Sequence, residues 1–203
     1  SFYFGHQLST IEGGMVNTND KELYEMLLML RSHGWAKDLS QESYDQKMKD
    51  NNIDDFHSPF TFFVPGFNVR STDLQAFLGL RQIEKAQWAA NSRNRNHLLY
   101  ADILDGAVEY QKWGENFPVS ISFGALADSN VHRRQIVNRL VDNGIETRIF
   151  SAGNLGLHPF WYKRYGKFEE PVSNNIHSKG FFLPNYPELT EEEIRFICKV
   201  VKG

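Results

Sequence analysis

The chain has 203 residues, 41% of them hydrophobic and 23% charged, with a formal net charge of −3 and an isoelectric point near 6.2. That balance suits one folded domain or one and a half, excludes a disordered or fibrous chain, and gives no global attraction to nucleic acid or an anionic membrane. No apolar run approaches the ~18 residues of a bilayer span, no signal-peptide pattern stands at the start, and the one cysteine, Cys198, precludes an intrachain disulfide, so a cytoplasmic location without membrane or nucleic-acid partners is expected.

In chain order, "SFYFGH" and "GMVNT" read as two strands flanking the turn "STIEGG", whose paired glycines permit unusual backbone angles. Asn19 with Glu22 then reads as a capping box opening a helix through Leu23, Met26, Leu27 and Leu30, which Gly34 stops. Residues 36–62 are polar and without periodicity, a length of irregular chain that is usually functional or mobile. After the Pro-Gly turn of "FFVPGFNVR", a helix is expected from about Ser71, burying Leu74, Phe77, Leu78 and Ile83, and a second over 91–104.

From Pro118 the period changes to that of a strand, with Val119, Ile121 and Phe123 alternating against Ser120 and Ser122. Residues 130–143 read as a helix, Ile145, Thr147 and Ile149 as a strand, "FFLP" as a third strand, and Thr190 with Glu193 as the capping box of a last helix. This half is a small α/β unit with a largely antiparallel sheet. Aromatic residues reach 14% of the chain, with 16 phenylalanines, so either the core is rich in rings or aromatic surface awaits a partner.

The seven histidines show no zinc spacing, so no metal site is expected. Neither GxGxxG nor GxxxxGK[ST] is present, and no GxSxG elbow marks a serine nucleophile. His6 has the most suggestive context, between a strand and a glycine-bearing turn, where an imidazole can take and give a proton at neutral pH. The plainer alternative is a half-buried histidine bonded to a loop carbonyl.

The segment "SFYFGHQLSTIEGGMVNT", with Ser1, Glu12, Gly13, Gly14 and Thr18 in place, resembles the cofactor segment of the DegT–StrS sugar aminotransferases, fold type I pyridoxal-phosphate enzymes. His6 stands where that family has its cofactor-binding lysine, a departure that resembles the sugar 3-dehydratases within it. "RSHGW", "PGFNVRSTDLQAFLGLRQIEKA", "ETRIFSAGNLGLHPFWYKRYG" and "LPNYPELTEEEI" extend the likeness over essentially the whole chain. The resemblance implies pyridoxamine phosphate (or pyridoxal phosphate) as cofactor, a nucleotide-linked keto sugar as substrate, and glutamate as amino donor. It also implies a dehydration at sugar carbon 3 in surface polysaccharide synthesis, with His6 as proton carrier.

By the same resemblance Ser1, His6 and Asn68 bind the cofactor, Asn68 from the neighbouring subunit of a homodimer with a shared site. Arg70, Arg148 and Asn154 then contact the substrate. Ser1 can equally be an incidental first residue, Asn68 a turn residue, and Arg70 the partner of an acid. His158 stands where the family has glutamine and receives no catalytic role. The implied fold is the C-terminal part of a fold type I transferase. Residues 1–35 end the large domain, 36–70 form a connecting and active-site loop region, and 71–203 make the small domain. The family's cofactor floor would lie upstream, so the chain is expected to be truncated and inactive alone. A lysine-less inactive copy, an aminotransferase and a non-enzymatic partner-binding module are the alternatives.

Overall fold

In the computed structural model, which describes all of residues 1–203, the first thirteen residues fold back on themselves. Phe2 N–H donates to the Gly13 carbonyl (2.9 Å), Phe4 N–H to Ile11 (3.1 Å), and Thr10 N–H to Phe2 (2.9 Å). These bonds make a tight hairpin-like loop but no sustained ladder, so the two expected strands are absent. The reason is local: between Phe4 and Ile11 the backbone turns on itself, with His6 N–H bonded to the Tyr3 carbonyl (3.0 Å) and Ile11 at φ 72°.

The chain divides into two compact units, Ser1–Ile83 and Glu84–Gly203. In the first, α1 (Lys21–Leu30) is capped by Asp20, whose carboxylate accepts from Leu23 N–H (3.1 Å), one residue beyond the expected Asn19. It ends at Leu30, and the turn that follows closes at Gly34, whose N–H returns to the Met29 carbonyl (2.9 Å) at φ 92°. A Cβ on Gly34 would overlap the Val64 carbonyl, and one on Gly66 the Gly34 nitrogen, so two glycines let two backbones touch. The stretch read as irregular contains α2 (Gln41–Asp50), capped by Ser40 (3.3 Å to Ser43 N–H). Only Met48 of α2 is buried; with Met29 and Ala36 it makes a small core ringed by Leu39, Tyr44, Ile53, Phe63 and Val64. The next helix, α3 (Asp73–Ile83), departs from expectation on its apolar face: Leu74 is 78% exposed, Phe77 57% and Ile83 64%.

The second unit runs α4 (Ala86–Leu104), β1 (Glu109–Tyr110), β2 (Ser122–Leu126), α5 (Asn130–Asp142), β3 (Arg148–Ile149), α6 (Pro159–Tyr165), α7 (Pro171–Lys179), β4 (Gly180–Pro184) and α8 (Glu191–Lys202). Its four strands are all antiparallel, in the order β1-β2-β4-β3. Phe123 pairs with Leu183 and Ala125 with Phe181, and these four side chains are buried among Tyr100, Leu104, Ile136, Leu140, Ile194 and Cys198 of α4, α5 and α8. Gly124, pointing the other way along β2, lies under the Phe150 ring, which a Cβ there would strike. The Thr190–Glu193 capping box of α8 is present as read. The strand expected over 119–123 begins instead at Ser122, because the carbonyls of Pro118, Ser120 and Ile121 are taken by side chains of α4 and Asn185. β1, α6 and α7 have no counterpart in the sequence reading, being short or without clear periodicity. No helix is long and apolar enough to cross a membrane.

Candidate active site

Within the first unit, Ser1 and His6 share the hairpin-like loop. The exposed Ser1 Oγ accepts from Tyr3 N–H (3.3 Å), which leaves its hydroxyl hydrogen free to donate. His6 is half-buried, its ring edge-on to Tyr3 at 5.6 Å, and its ring nitrogens are not engaged by any hydrogen bond within the chain. The Thr10 hydroxyl, buried at the other side of the loop, donates to the Glu12 carbonyl (2.7 Å), and Gln75 of α3 donates to the same carbonyl (2.8 Å). Two side chains therefore fix the Glu-Gly-Gly turn that follows His6.

Asn68 and Arg70 stand on a different segment. Phe67 N–H donates to Leu30 O (2.7 Å), Val69 N–H to Arg31 O (3.0 Å), and His33 N–H to Phe67 O (2.7 Å), so residues 67–69 are zipped to the end of α1. This places Asn68 opposite Ser32 with its side chain exposed, and Arg70 just beyond, exposed and in none of the chain's ion pairs. No hydrogen bond joins Ser1 or His6 to either residue.

In the second unit, Arg148 lies on the edge strand β3, paired with Phe182 and exposed. Asn154, six residues on, is buried, and its side chain is fully engaged. Its Oδ1 accepts from Gly156 N–H (2.8 Å), and its Nδ2 donates to Phe168 O (3.0 Å) and Asn174 Oδ1 (2.6 Å). No hydrogen bond joins Arg148 to Asn154, which sits within the loop 150–157 that follows β3. That loop is further held by His158, whose Nε2 donates to Ala152 O (2.8 Å), and by His177 of α7, whose Nδ1 accepts from Asn154 N–H (3.2 Å). The sequence reading passed over His177, because nothing in "SNNIHSKG" announces a contact 23 residues away.

Two other histidines are positioned by neighbours. His57 Nδ1 lies 2.8 Å from the Asp54 carboxylate, and that contact holds Asp54 below the usual carboxylate range. His97, buried on α4, bonds Ser120 Oγ (2.8 Å), and burial lowers its pKa. No group of three or more His, Cys, Asp or Glu side chains could hold a metal ion.

The model of the DegT/DnrJ/EryC1/StrS aminotransferase family matches residues 1–202. GDP-4-keto-6-deoxy-D-mannose 3-dehydratase of Escherichia coli O55:H7 is 31% identical over 211 residues, which take in 100% of this chain and 53% of that protein. GDP-perosamine synthase of Escherichia coli O157:H7 is 27% identical over 203 residues, 99% of this chain and 50% of its own length. The solved structure of the E. coli GDP-4-keto-6-deoxy-D-mannose-3-dehydratase with bound hydrated PLP superposes with a TM-score of 0.84 at 25% identity, covering 99% of this chain and 53% of that one. The chain thus spans about half the length of the curated relatives it matches.

Proposed function

The chain belongs to the DegT/DnrJ/EryC1/StrS aminotransferase family, and from that premise we propose that it carries the proton-transferring and substrate-facing parts of a nucleotide-sugar 3-dehydratase. The observation that carries this reading is His6: an imidazole with both nitrogens unengaged stands where the aminotransferase pattern has a lysine. A lysine there would hold the cofactor covalently; a histidine cannot, yet it can accept and return a proton.

The residues present fit a phosphorylated pyridoxamine. The Ser1 hydroxyl has a hydrogen to donate, and the exposed Asn68 amide offers two more. Pyridoxamine phosphate, when bound, supplies an amine for the sugar's carbon 4 and a ring that accepts the electron pair. His6, half-buried and held by its turn, removes a proton beside that amine and delivers one to the departing 3-hydroxyl. The Glu12 carbonyl, bonded to both Thr10 and Gln75, keeps the turn after His6 in place. Arg70 and Arg148, exposed cations, pair with the phosphates of the nucleotide. Asn154 acts indirectly, by shaping its loop, since its side chain is already engaged.

On this reading residues 1–35 close a large domain, 36–70 form the active-site loop region and 71–203 a small domain, with the cofactor's floor on sequence upstream. Asn68 serves the neighbouring subunit of a homodimer, glutamate restores the amine form of the cofactor, and the product feeds surface polysaccharide synthesis in the cytoplasm. The relative named as a 3-dehydratase, matched over the whole chain, supports this outcome over transamination. The test is product analysis by mass spectrometry, using the complete protein with a GDP-linked 4-keto-6-deoxy sugar, pyridoxamine phosphate and glutamate. A 3-deoxy keto sugar with ammonia release is expected. A 4-amino sugar would make the protein an aminotransferase, and no turnover would leave an inactive copy or a binding module.

A further inference from the structure

The loop 150–157 contains two left-handed residues within three positions, Ser151 at φ 52° and Gly153 at φ 64°. Such a backbone persists only when its surroundings fix it. α7 does so with two side chains one turn apart: Asn174 Oδ1 takes the Asn154 side-chain amide (2.6 Å), and His177 Nδ1 takes the Asn154 backbone N–H (3.2 Å). The His177 ring also lies so close to Gly153 that a Cβ there would collide with Nδ1. Glycine is therefore required twice, for its angle and for its lack of a side chain.

We propose that His177 is a positioning residue: its neutral, Nε2-protonated ring clamps the loop that carries Asn154, and protonation of the ring releases it. The chemistry is a matter of donors and acceptors. To accept the Asn154 N–H, Nδ1 must keep its lone pair, so the proton sits on Nε2. A second proton turns Nδ1 into a donor facing a donor, and the contact becomes repulsive. Titratable and charged groups stand on the loop, on α5 and on α7 itself. His158, from the loop itself, lies 6.3 Å away edge-on with Nε2 committed to Ala152 O. Arg133 of α5 reaches the neighbouring Ser178 carbonyl (3.3 Å), and Lys179 follows two residues later on α7. Glu170, at the other end of α7, is engaged with Ser173 N–H (2.7 Å). For catalysis this rests on the reading above, in which the loop after Arg148 faces the nucleotide sugar.

The test is amide hydrogen exchange on the present chain, followed by NMR and expressed as protection factors so that intrinsic exchange chemistry divides out. At pH 8 the Asn154 amide should be protected. Its protection should fall about tenfold, the factor that one ordinary hydrogen bond corresponds to, as the His177 ring signals report protonation. His177→Asn places Oδ1 where Nδ1 was, and should keep the protection and remove its pH dependence. His177→Leu, similar in bulk but without an acceptor, should be unprotected at every pH. Equal protection in His177→Leu and the natural chain, or an unchanged pH dependence in His177→Asn, would overturn the clamp. In the complete protein His177→Leu should raise KM for the nucleotide sugar with kcat little changed. A clamp that holds by exchange while KM stays put would leave this inference standing and remove the loop from the proposed nucleotide site.

Discussion

Gly34 holds φ at 92° with its missing side chain aimed at the Val64 carbonyl, and the small core of Met29, Ala36 and Met48 is built around the crossing it permits. Gly34→Ala adds both a left-handed penalty and a backbone collision, and should destabilise the first unit by about 2 kcal/mol or more; urea unfolding followed through the Met29 and Met48 methyl signals measures it. Cys198 is the opposite case, a residue whose ordinary chemistry is suppressed. Burial on α8 pushes its thiol up to about 12, so almost no thiolate exists near neutrality. Thiol reagents at pH 8 should leave the native chain unlabelled and react once denaturant unfolds it. Prompt labelling of native protein would contradict the packing of α8 described here.

The element with the most unusual chemistry is α4, whose run "NSRNRNH" (91–97) is polar in sequence yet buried at five of its seven positions, all but Asn91 and Arg95. Arg93 Nη1 donates to the carbonyls of Ile121 (3.1 Å) and Asn185 (2.5 Å), Asn94 to Pro118 O (3.1 Å), and Asn96 to Tyr186 O (3.1 Å). The helix therefore stitches the approach to β2 to the exit from β4. Arg93→Met strands two carbonyls without donors and should cost about 2 kcal/mol, the relief of desolvating no cation offsetting part of the loss; a denaturant titration of the second unit checks it. His97 adds a pH dependence. Burial holds its folded pKa below the usual value of about 6.5, so on acidification the unfolded chain takes up a proton before the folded one does. Stability is complete above about pH 6.5, falls as pH drops toward the folded pKa, and levels off below it. The midpoint of unfolding should decline as pH falls below about 6.5, less steeply in His97→Gln. Elements with a strong local signal were legible in sequence: α8 through its capping box, α5 through its apolar spacing, β4 through "FFLP". Those settled by tertiary contacts were not. α2 is polar on nearly every face; α4 is expected as a helix over 91–104, but the burial of its polar residues depends on partners elsewhere in the chain; and the stripe of α3 reads as core yet is exposed at Leu74, Phe77 and Ile83. The same holds for the site: the "SFYFGH…EGG" motif pointed to His6, whereas the engagement of Asn154 and the role of His177 depend on partners distant in sequence.

At the scale of the molecule, the first unit shows far more apolar surface than its three-residue core can account for. Phe60, Phe67, Val69, Leu74, Phe77 and Leu80 are all exposed on it. A surface of that kind marks an interface, and it agrees with a chain that matches about half the length of its relatives. Alone in solution the chain should associate at micromolar concentration. Leu74→Ser with Phe77→Ser should return it to monomer in sedimentation velocity without lowering its melting temperature, since neither side chain is buried. The proton-carrying role of His6 is tested most directly by the single-turnover rate of dehydration by the complete protein with His6→Asn, which keeps a polar side chain of similar reach but carries no titrating nitrogen. A positioned proton carrier is worth about 10²–10⁴ in rate, so a loss of that size with cofactor uptake retained is the predicted result, and dehydration at the unsubstituted rate would contradict it.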